Sequence, residues 1–296
     1  MNKELYPNIF KRKSFHLFRN VGEEKIDENE LLNIQKAYES FTPLYPEIKT
    51  TIQIVEASKT TCKRGEEYCV LFYSEKKEGY LQNIGYLGEQ LDLYLVSKNI
   101  GTLWFGIGKP DKITYDGLDY VIMIAINKID DETKFRKDMF RSKRKNVEEI
   151  WQGEYIDKVT DIVRFTPSAC NTQPWFVENK NKLNVYRYKK PGKKGIMPED
   201  KVSFYNRIDI GIFMCFLELC LNKQDISFER ELFIDDGSDA EKILNATYII
   251  KNGFWLNNFV GFPTFLFCHL QNFKSKKQSH WFSMTLKYKN ALSPYS

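Results

Sequence analysis

The segment TPSACNTQPW, residues 166–175, places many hydrogen-bonding side chains in one short run of the chain. It supplies hydroxyl and amide groups between two prolines, and it contains no histidine, aspartate, glutamate or lysine that could transfer a proton. Because a proline ring fixes the backbone torsion φ, we expect these polar groups to be held rigidly. Rigid neutral donors suit a protein whose bound cofactor carries out the chemistry. We therefore expect this segment to bind a reactive group rather than to react itself.

A second polar segment, FKRKSFHLF at residues 10–18, lies near the N-terminus. Its donors are Arg12, Lys13, Ser14 and His16. A guanidinium fork beside a hydroxyl matches the geometry of a phosphate group. An ordinary basic N-terminus has the same composition, so the residues alone leave both interpretations open.

The composition is that of a soluble globular protein. Of the 296 residues, 42% are hydrophobic and 28% are charged, which is enough for one large domain or two ordinary ones. The net charge of +5 permits an anionic cofactor or substrate. The basic run KFRKDMFRSKRKN at 134–146 is not accompanied by a helix-turn-helix or RNP-like pattern, so we expect no nucleic-acid partner.

The cysteines and the apolar segments indicate the cellular location of the protein. None of the six cysteines forms a CxxC pair or a Cys/His cluster with metal-ligand spacing, so the sequence predicts no metal site. The N-terminal residues lack the pattern of a signal peptide. The longest apolar stretch, at 254–270, is interrupted by polar residues and is shorter than the ~20 residues of a membrane-spanning helix. We expect a cytoplasmic protein with reduced thiols and no membrane contact.

Hydrophobic periodicity in the first half predicts two helices and three strands. The first helix begins at Asp27, and Glu30 stands three residues later in a capping-box pattern. The second helix is long and apolar on one side, and Gly101 is placed to cap its C-terminus. The third strand is almost continuously apolar, as in a strand covered on both faces. The ranges are 26–41 and 79–101 for the helices and 51–57, 68–74 and 120–127 for the strands.

The second half repeats this order of elements without an obvious sequence repeat. It contains a helix around 146–165, a strand at 182–188, a long helix at 207–221 and a strand at 227–234. The sequence therefore predicts an α+β fold with two lobes. We place the first lobe at residues 1–145 and the second at 146–250, and leave 251–296 as an unassigned C-terminal tail.

At this point the motifs resemble those of a known family. RKSFHLF (12–18) resembles the R-R-S-x-R-x-F segment of FMN-dependent nitroreductases, and TPSACNTQPW (166–175) resembles their A-P-S-x-x-N-x-Q-P-W segment. Residues 85–110 are similar to the family's central helix and the glycine turn that follows it. RIDIGIF (207–213) is similar to the two-lobed TM nitroreductase branch, in which one chain contains both halves. The resemblance spans roughly residues 9–235.

The resemblance implies a fold and a site. It implies two pseudo-symmetric lobes, each with a mixed or antiparallel sheet flanked by helices around a long buried helix. Nitroreductases are normally homodimers whose two motifs come from different subunits and meet at an FMN. In this chain the first motif occurs only in the first half and the second only in the second half. The resemblance therefore implies one composite FMN site per chain, in a monomer that imitates a dimer, with further oligomerisation left open.

The implied site has no catalytic side chain, because the flavin carries the redox chemistry. Arg12, Lys13 and Ser14 belong to the phosphate side. Lys143 and Arg144 resemble the basic pair that closes the phosphate site, although a solvated basic run has the same composition. The implied FMN-binding residues are Arg12, Lys13, Ser14, His16, Trp104, Phe105, Gly106, Lys143, Arg144, Pro167, Ser168, Ala169 and Asn171.

The remaining implied roles concern the flavin ring. Gly106, after Trp104 and Phe105, brings a backbone N–H near the ring atom N5, although a simple turn would also explain this glycine. Pro167, Ser168, Ala169 and Asn171 lie against the ring, while Gln173 and Trp175 fix their loop. Cys170 has an inert role. His16 departs from the family's usual Arg or Lys near N1 and O2, and a surface histidine is the alternative interpretation.

The implied activity is that of an FMN-dependent oxidoreductase. NAD(P)H reduces the flavin, and a small-molecule acceptor such as a nitroaromatic or a quinone is then reduced. Two alternatives stay open: a flavin-binding or redox-sensing protein without turnover, and a reductive dehalogenase-like enzyme on the same scaffold. Fold resemblance supports the cofactor more strongly than the substrate.

Overall fold

The structure is a computed structural model that describes residues 3–189, 195, 197–235 and 241–251. The apolar stretch at 254–270 and almost all of the predicted tail lie outside the described residues. The helices are α1 Asn8–Lys11, α2 Glu28–Ser40, α3 Tyr80–Ser97, α4 Val147–Ile150, α5 Thr160–Val163 and α6 Glu199–Lys223. The strands are β1 Thr50–Glu56, β2 Tyr68–Ser74, β3 Ile100–Trp104, β4 Thr114–Tyr115, β5 Leu118–Lys128, β6 Trp151–Gly153, β7 Trp175–Asn179, β8 Leu183–Tyr188, β9 Phe228–Leu232 and β10 Lys242–Ile250.

The first sheet has the strand order β1-β2-β5-β3, and β4 pairs with the start of β5. All of its pairings are antiparallel. The central strand β5 is apolar on both faces: Ile122 and Ile124 pack toward α3, while Met123 and Ala125 pack with aromatic residues on the opposite face. The prediction that this apolar run is a strand covered on both faces is confirmed.

The second sheet has the order β6-β7-β8-β10-β9, with β6 parallel to β7 and the other neighbours antiparallel. Helix α6 lies against one face of it. Trp175 at the start of β7 is fully buried and stacks on Phe213 of α6, with ring centroids 5.0 Å apart. Tyr248 of β10 belongs to the same core.

The long helices α3 and α6 cross at a pair of glycines. A Cβ atom on Gly85 would lie 2.0 Å from the carbonyl oxygen of Ile208, and one on Gly211 would lie 2.0 Å from that of Gln82. The two backbones therefore touch, and any side chain at either glycine would push the helices apart. This crossing places Ile208 of α6 in the core of the first sheet, so the two sheets share their helices.

Local signals predicted some helix ends well and others poorly. Helix α2 has the expected capping box between Asp27 and Glu30. The prediction that Gly101 caps α3 is wrong, because α3 ends at Ser97 and Gly101 lies in β3. Asn99 takes the left-handed torsion instead, at φ +56°, since asparagine tolerates this conformation better than most residues.

The predicted helix around 146–165 is also wrong. The segment contains two single-turn helices, α4 and α5, separated by the short strand β6. Asn146 and Glu149 form a capping box at α4, but β6 continues directly from it and pairs with β7. Pairing with a distant strand thus outweighs a local helix signal.

The α+β class is confirmed, with strands β1 to β5 all within residues 50–128 and strands β6 to β10 all within 151–250. The lobe boundary at residue 145 stays a prediction. No helix in the described part of the chain has both the length and the apolar character needed to cross a membrane.

Candidate functional site

Arg12 lies directly after α1 and is enclosed by the protein, with 2% of its surface exposed. Its Nε donates to Asp92 Oδ2 over 2.7 Å, and Glu89 Oε1 lies 3.5 Å from the same nitrogen. Asp92 and Glu89 are three residues apart on α3, so they project from the same side of the helix. Asp92 also accepts hydrogen bonds from Thr102 Oγ1 at 2.6 Å and Trp104 Nε1 at 2.9 Å. One carboxylate therefore joins the N-terminal segment, α3 and β3.

Burial affects the ionisation of both Glu89 and Arg12. It raises the pKa of Glu89 well above its ordinary value, and the nearby Arg12 only partly offsets this effect. Burial therefore disfavours the charged form of Glu89. Burial alone lowers the pKa of Arg12, but the carboxyl groups of Asp92 and Glu89 outweigh it and raise that pKa. Arg12 stays charged, with Asp92 as its main partner.

Two further arginines, Arg136 and Arg144, join Arg12 in an arginine cluster. Burial, followed by repulsion from Arg12, lowers the pKa of Arg136 to about 10. Burial, followed by repulsion from Arg136 and Arg12, lowers the pKa of Arg144 to about 10. Three guanidinium groups thus lie near one another beside the two carboxyl groups of Asp92 and Glu89, so the cluster carries an excess of positive charge.

The arginine cluster also has unused donors. Nη2 of Arg12 and Nε of Arg144 are buried and have no hydrogen-bond partner among the described residues. A buried donor without an acceptor costs about 1–3 kcal/mol, and more when it is charged. A phosphate group supplies several acceptor oxygens and two negative charges, so its chemistry fits what the arginine cluster lacks.

The other basic and polar residues predicted for the phosphate side are less involved. Lys13 is exposed, and its Nζ donates to the carbonyl oxygen of Lys134. Ser14 is half-buried and forms an isolated bridge with Thr102. His16 is exposed. Lys143 is exposed as well, and its carbonyl oxygen accepts from Asn171 Nδ2 at 3.2 Å. The structure therefore brings Arg12 and Arg144 together, while Lys143 meets the second motif through its backbone.

The second motif forms a strained loop. Cys170, Asn171 and Gln173 all have positive φ, at +51°, +56° and +49°. Residues held in sparsely populated backbone conformations cost about 1–3 kcal/mol each, and they cluster at ligand sites. Three in four residues indicate that the surrounding contacts impose the loop's shape.

Those contacts come from the loop's own polar groups and from its neighbour Lys145. Ser168 Oγ accepts from the backbone N–H of Gln173 at 3.0 Å. Gln173 Oε1 accepts from the Lys145 backbone N–H at 2.8 Å, and the Gln173 carbonyl accepts from Lys145 Nζ at 3.0 Å. Gln173 is buried, so it fixes the loop as predicted. Pro167, Ser168 and Ala169 are half-buried, whereas Asn171 is exposed and free to meet a ligand on its open side.

Asp209 of α6 accepts hydrogen bonds that hold the strained loop in place. Its two oxygens accept from the backbone N–H of Ala169 at 3.0 and 3.2 Å, and Oδ2 lies 3.4 Å from Thr172 Oγ1. Burial raises the pKa of Asp209 to about 8, and these hydrogen bonds lower it only in part. The adjacent Asn206 has a buried Nδ2 without a partner. Sequence reasoning missed Asp209, although a single acidic residue in the apolar run RIDIGIF was a visible signal.

The turn after β3 meets the same helix. Trp104 stacks on Phe72 with centroids 6.0 Å apart. The carbonyl of Gly106 accepts from Tyr205 Oη at 2.8 Å, and a Cβ at Gly106 would lie 2.6 Å from that ring. Tyr205 is also close enough to Cys170 for the two to interact electrostatically. Helix α6 therefore brings the glycine turn near the strained loop, and Phe105 in this turn is half-buried.

The residues that complete this arrangement were not visible as motifs. Asp92, Arg136, Asp209 and Tyr205 act through partners far along the chain. Asp92 joins Arg12 to β3, Asp209 holds the second motif, and Tyr205 contacts the glycine turn. The arrangement can hold an anion at the arginine cluster and a flat polar group beside the loop, and it offers neutral donors rather than an acid or a base.

The family model described as "Putative TM nitroreductase" matches residues 4–221. The chain belongs to this family. This confirms the resemblance drawn from the two motifs. The candidate site described above therefore lies in a nitroreductase fold. A search of curated protein sequences found no match.

One solved structure supports the fold over most of the chain. This putative nitroreductase from Thermotoga maritima is 17% identical, with 84% of this chain and 94% of that chain covered and a TM-score of 0.53. At this identity the similarity concerns the fold alone. Two further structures are similar over less of the chain. A nitroreductase family protein from Clostridium novyi is 20% identical over 45% of this chain and 88% of that chain, with a TM-score of 0.35. Oxidized iodotyrosine deiodinase, solved with FMN and 3-iodo-L-tyrosine, is 18% identical over 43% of this chain and 90% of that chain, with a TM-score of 0.32.

Proposed function

We propose that this nitroreductase-family chain is an FMN-dependent oxidoreductase that takes electrons from NAD(P)H and passes them to a small-molecule acceptor such as a nitroaromatic or a quinone. The observation that carries the proposal is the arginine cluster, with its excess positive charge and buried unpaired donors, beside a strained loop of neutral polar groups. A flavin mononucleotide has a dianionic phosphate at one end and a flat polar ring at the other. The phosphate end matches the arginine cluster, and the ring end matches the strained loop.

The phosphate end is assigned to the arginine cluster. Arg12 uses Nε to bind Asp92, which orients the guanidinium and leaves Nη2 for a ligand. Arg136 and Arg144 are destabilised by each other's charge, and a phosphate relieves that repulsion. Ser14 lies half-buried two residues from Arg12 and adds a hydroxyl.

The ring end is assigned to the strained loop and the glycine turn. The bound flavin supplies hydride acceptance and donation. Pro167, Ser168 and Asn171 orient the ring through shape and neutral hydrogen bonds. Asp209 keeps the backbone of Ala169 in place, so the loop retains its geometry when the ligand leaves. Gly106 allows a backbone approach that a larger residue would block.

The site is composite within one chain. Asn171 contacts the carbonyl of Lys143, and Tyr205 contacts the carbonyl of Gly106, so residues from both sides of residue 145 meet in a single copy. These contacts support one FMN per chain in a monomer that imitates a dimer. A cytoplasmic location, and partners limited to small molecules, remain part of the proposal.

The test is the absorbance spectrum of the purified full chain after reconstitution with FMN, followed by anaerobic addition of NADH or NADPH. We expect a yellow protein that bleaches with one of the two nucleotides and recovers its colour when a quinone is added. Flavin released by denaturation should equal one per chain. A flavin that stays oxidised with both nucleotides would indicate a binding or sensing protein, and a chain that rejects FMN would overturn the proposal.

A further inference from the structure

A second cluster of reactive side chains, formed by Cys62, Glu66 and Cys69, lies apart from the arginine cluster and the strained loop. Cys69 is on β2, and the other two are in the connection that precedes it. The two sulfurs and a Glu66 carboxylate oxygen all lie within 4.8 Å of one another. Both cysteines are fully buried free thiols, and Glu66 is 8% exposed. Three ligand-type groups thus converge in the interior.

The backbone around the cluster is fixed by hydrogen bonds. The N–H of Cys62 donates to Thr60 Oγ1 at 3.1 Å, and the N–H of Arg64 donates to Glu66 Oε2 at 2.7 Å. The Gly65 carbonyl accepts from Asn127 Nδ2 at 2.9 Å. The three side chains are therefore held in place by a preformed frame rather than gathered by a flexible loop.

The polar groups of the cluster are not all paired within the described part of the chain. Glu66 Oε1 is buried and has no hydrogen-bond partner there that meets normal geometry. The Cys62 thiol lies within reach of both the Cys69 sulfur and the Glu66 carboxylate, but one S–H can serve only one acceptor, and it is a weak donor. A buried carboxylate oxygen without a proper donor is costly. The geometry fits a single group that binds two sulfurs and one oxygen at the same time.

We propose that Cys62, Glu66 and Cys69 bind a zinc ion. Zn²⁺ takes cysteine sulfur and carboxylate oxygen as ligands, and thiolates select it over hard cations such as Mg²⁺. On binding, two Zn–S bonds and one Zn–O bond form, and each thiol releases one proton to solvent. The fourth tetrahedral position is left for water or for the Thr60 hydroxyl, whose oxygen is 3.6 Å from Cys69 Sγ.

This site departs from the sequence-based prediction of no metal, and the reason is spacing. Six residues separate the cysteines, and the third ligand is a glutamate between them, so the pattern does not match common zinc motifs. The fold supplies the proximity instead. It also gives the metal a structural role, because Thr61 exchanges two 2.9 Å hydrogen bonds with Lys109, just after the glycine turn. The proposal does not depend on flavin binding.

The experiment uses the reduced full chain, freed of metal by a chelator and titrated with Co²⁺ as a spectroscopic probe. We expect one equivalent to bind, with thiolate-to-cobalt charge-transfer absorption and the visible bands of tetrahedral cobalt. Added Zn²⁺ should remove this spectrum by displacement, and it should raise the melting temperature of the apoprotein, because it binds the folded state.

Variants separate this site from adventitious thiol binding. Cys62→Ser and Cys69→Ser should abolish the charge-transfer absorption. Glu66→Gln keeps the shape but loses the ligand charge, and it should weaken Co²⁺ affinity by more than the ~10–100-fold that loss of an outer-shell partner costs. Two control variants, Cys220→Ala at a buried thiol of α6 and Cys170→Ser at an exposed thiol, should leave the spectrum unchanged.

Three results would overturn the proposal. They are a reduced wild-type chain with no charge-transfer absorption, an absorption that survives in Cys62→Ser, and a freshly isolated protein that holds a Cys62–Cys69 disulfide and no metal. If circular dichroism shows that a serine variant does not fold, the wild-type cobalt spectrum and the Co²⁺ affinity of Glu66→Gln still test the proposal.

Discussion

Two arginines are buried beside carboxylates, one near each sheet, and they are paired very differently. Arg187 of β8 is fully buried and binds Asp235 through two parallel hydrogen bonds, from Nε to Oδ2 and from Nη2 to Oδ1. Asn245 adds a further donor to the same carboxylate at 3.3 Å. Arg12 makes a single good bond to Asp92, keeps a buried Nη2 unpaired, and has two other arginines nearby.

The difference distinguishes a structural ion pair from the anion-binding site proposed above. A bidentate pair satisfies the hydrogen-bonding groups of both partners within the protein. The arginine cluster is the reverse, because its positive charges outnumber their partners and raise the free energy of the empty protein. A bound anion would offset this cost, and the following predictions test that distinction.

The largest expected effect is on the structural pair. Arg187→Ala removes the guanidinium that makes two hydrogen bonds to the buried Asp235 carboxylate, which should lower the free energy of unfolding by about 3–5 kcal/mol. Urea denaturation followed by circular dichroism measures it. The double variant Arg187→Met with Asp235→Leu should recover most of the loss, because an apolar pair removes both charges together. A double variant no more stable than Arg187→Ala would show that the pair is not the source of the effect.

The arginine cluster should respond in the opposite way to loss of a charge. Arg144→Met removes a guanidinium whose neighbours repel it, so the free energy of unfolding of the empty protein should stay the same or rise. FMN affinity should fall by about 10–100-fold, since a hydrogen bond to a charged group contributes about 1.5–3 kcal/mol. Fluorescence titration with FMN and urea denaturation give the two values.

The matched control for Arg144→Met is Arg141→Met. Arg141 is three residues earlier, its side chain is 88% exposed, and it pairs with Asp138 at the surface. It should change neither FMN affinity nor stability appreciably. If Arg144→Met lowers the stability of the empty protein and leaves FMN affinity unchanged, the arginine cluster has a structural role like that of Arg187.

Asp209 extends the comparison to a buried carboxylate whose pKa is set by burial and by hydrogen bonds from Ala169 and Thr172. Its pKa is raised to about 8 in the folded protein, from an ordinary value of 3.8. The unfolded chain therefore loses this proton at lower pH, and wild-type stability should fall as pH rises through that window. Between about pH 6 and pH 8, the free energy of unfolding of wild type should drop by about 2 kcal/mol relative to Asp209→Asn.

Urea denaturation at several pH values measures this difference, and Asp157→Asn, at an exposed carboxylate, is the control. Asp157→Asn should follow the wild-type pH dependence. Asp209→Asn keeps an oxygen for the Ala169 N–H, so the loop should persist. A constant difference between wild type and Asp209→Asn across this range would mean that Asp209 does not hold a proton there.

Particular residues show which features could be predicted from the sequence and which could not. The capping box of α2 and the apolar run of β5 were predictable because their signals are local. The end of α3 was not, since Asn99 adopts a torsion that Gly101 appeared better suited to take. Arg12 was found by motif, but Asp92 lies 80 residues away. Arg136 looked like one more charge in a basic run, and only the fold makes it part of the site.

The smallest expected effect concerns His16, which is exposed and stands where related motifs carry a fixed cation. If the flavin lies as proposed, a positive charge near N1 and O2 stabilises the anionic reduced ring. A guanidinium is always charged, so an arginine supplies a fixed positive charge at this position. His16→Arg should therefore raise the flavin midpoint potential.

Potentials of wild type and His16→Arg, measured with bound FMN under the same conditions, decide the matter. The potential of His16→Arg should be the higher of the two. Asn33→Arg, which adds the same charge at an exposed position of α2, should leave the potential unchanged. Equal potentials for wild type and His16→Arg would place His16 away from the ring. Arg12, Arg136 and Arg144 would then be the cations of this site, acting on the phosphate and not on the reduced flavin.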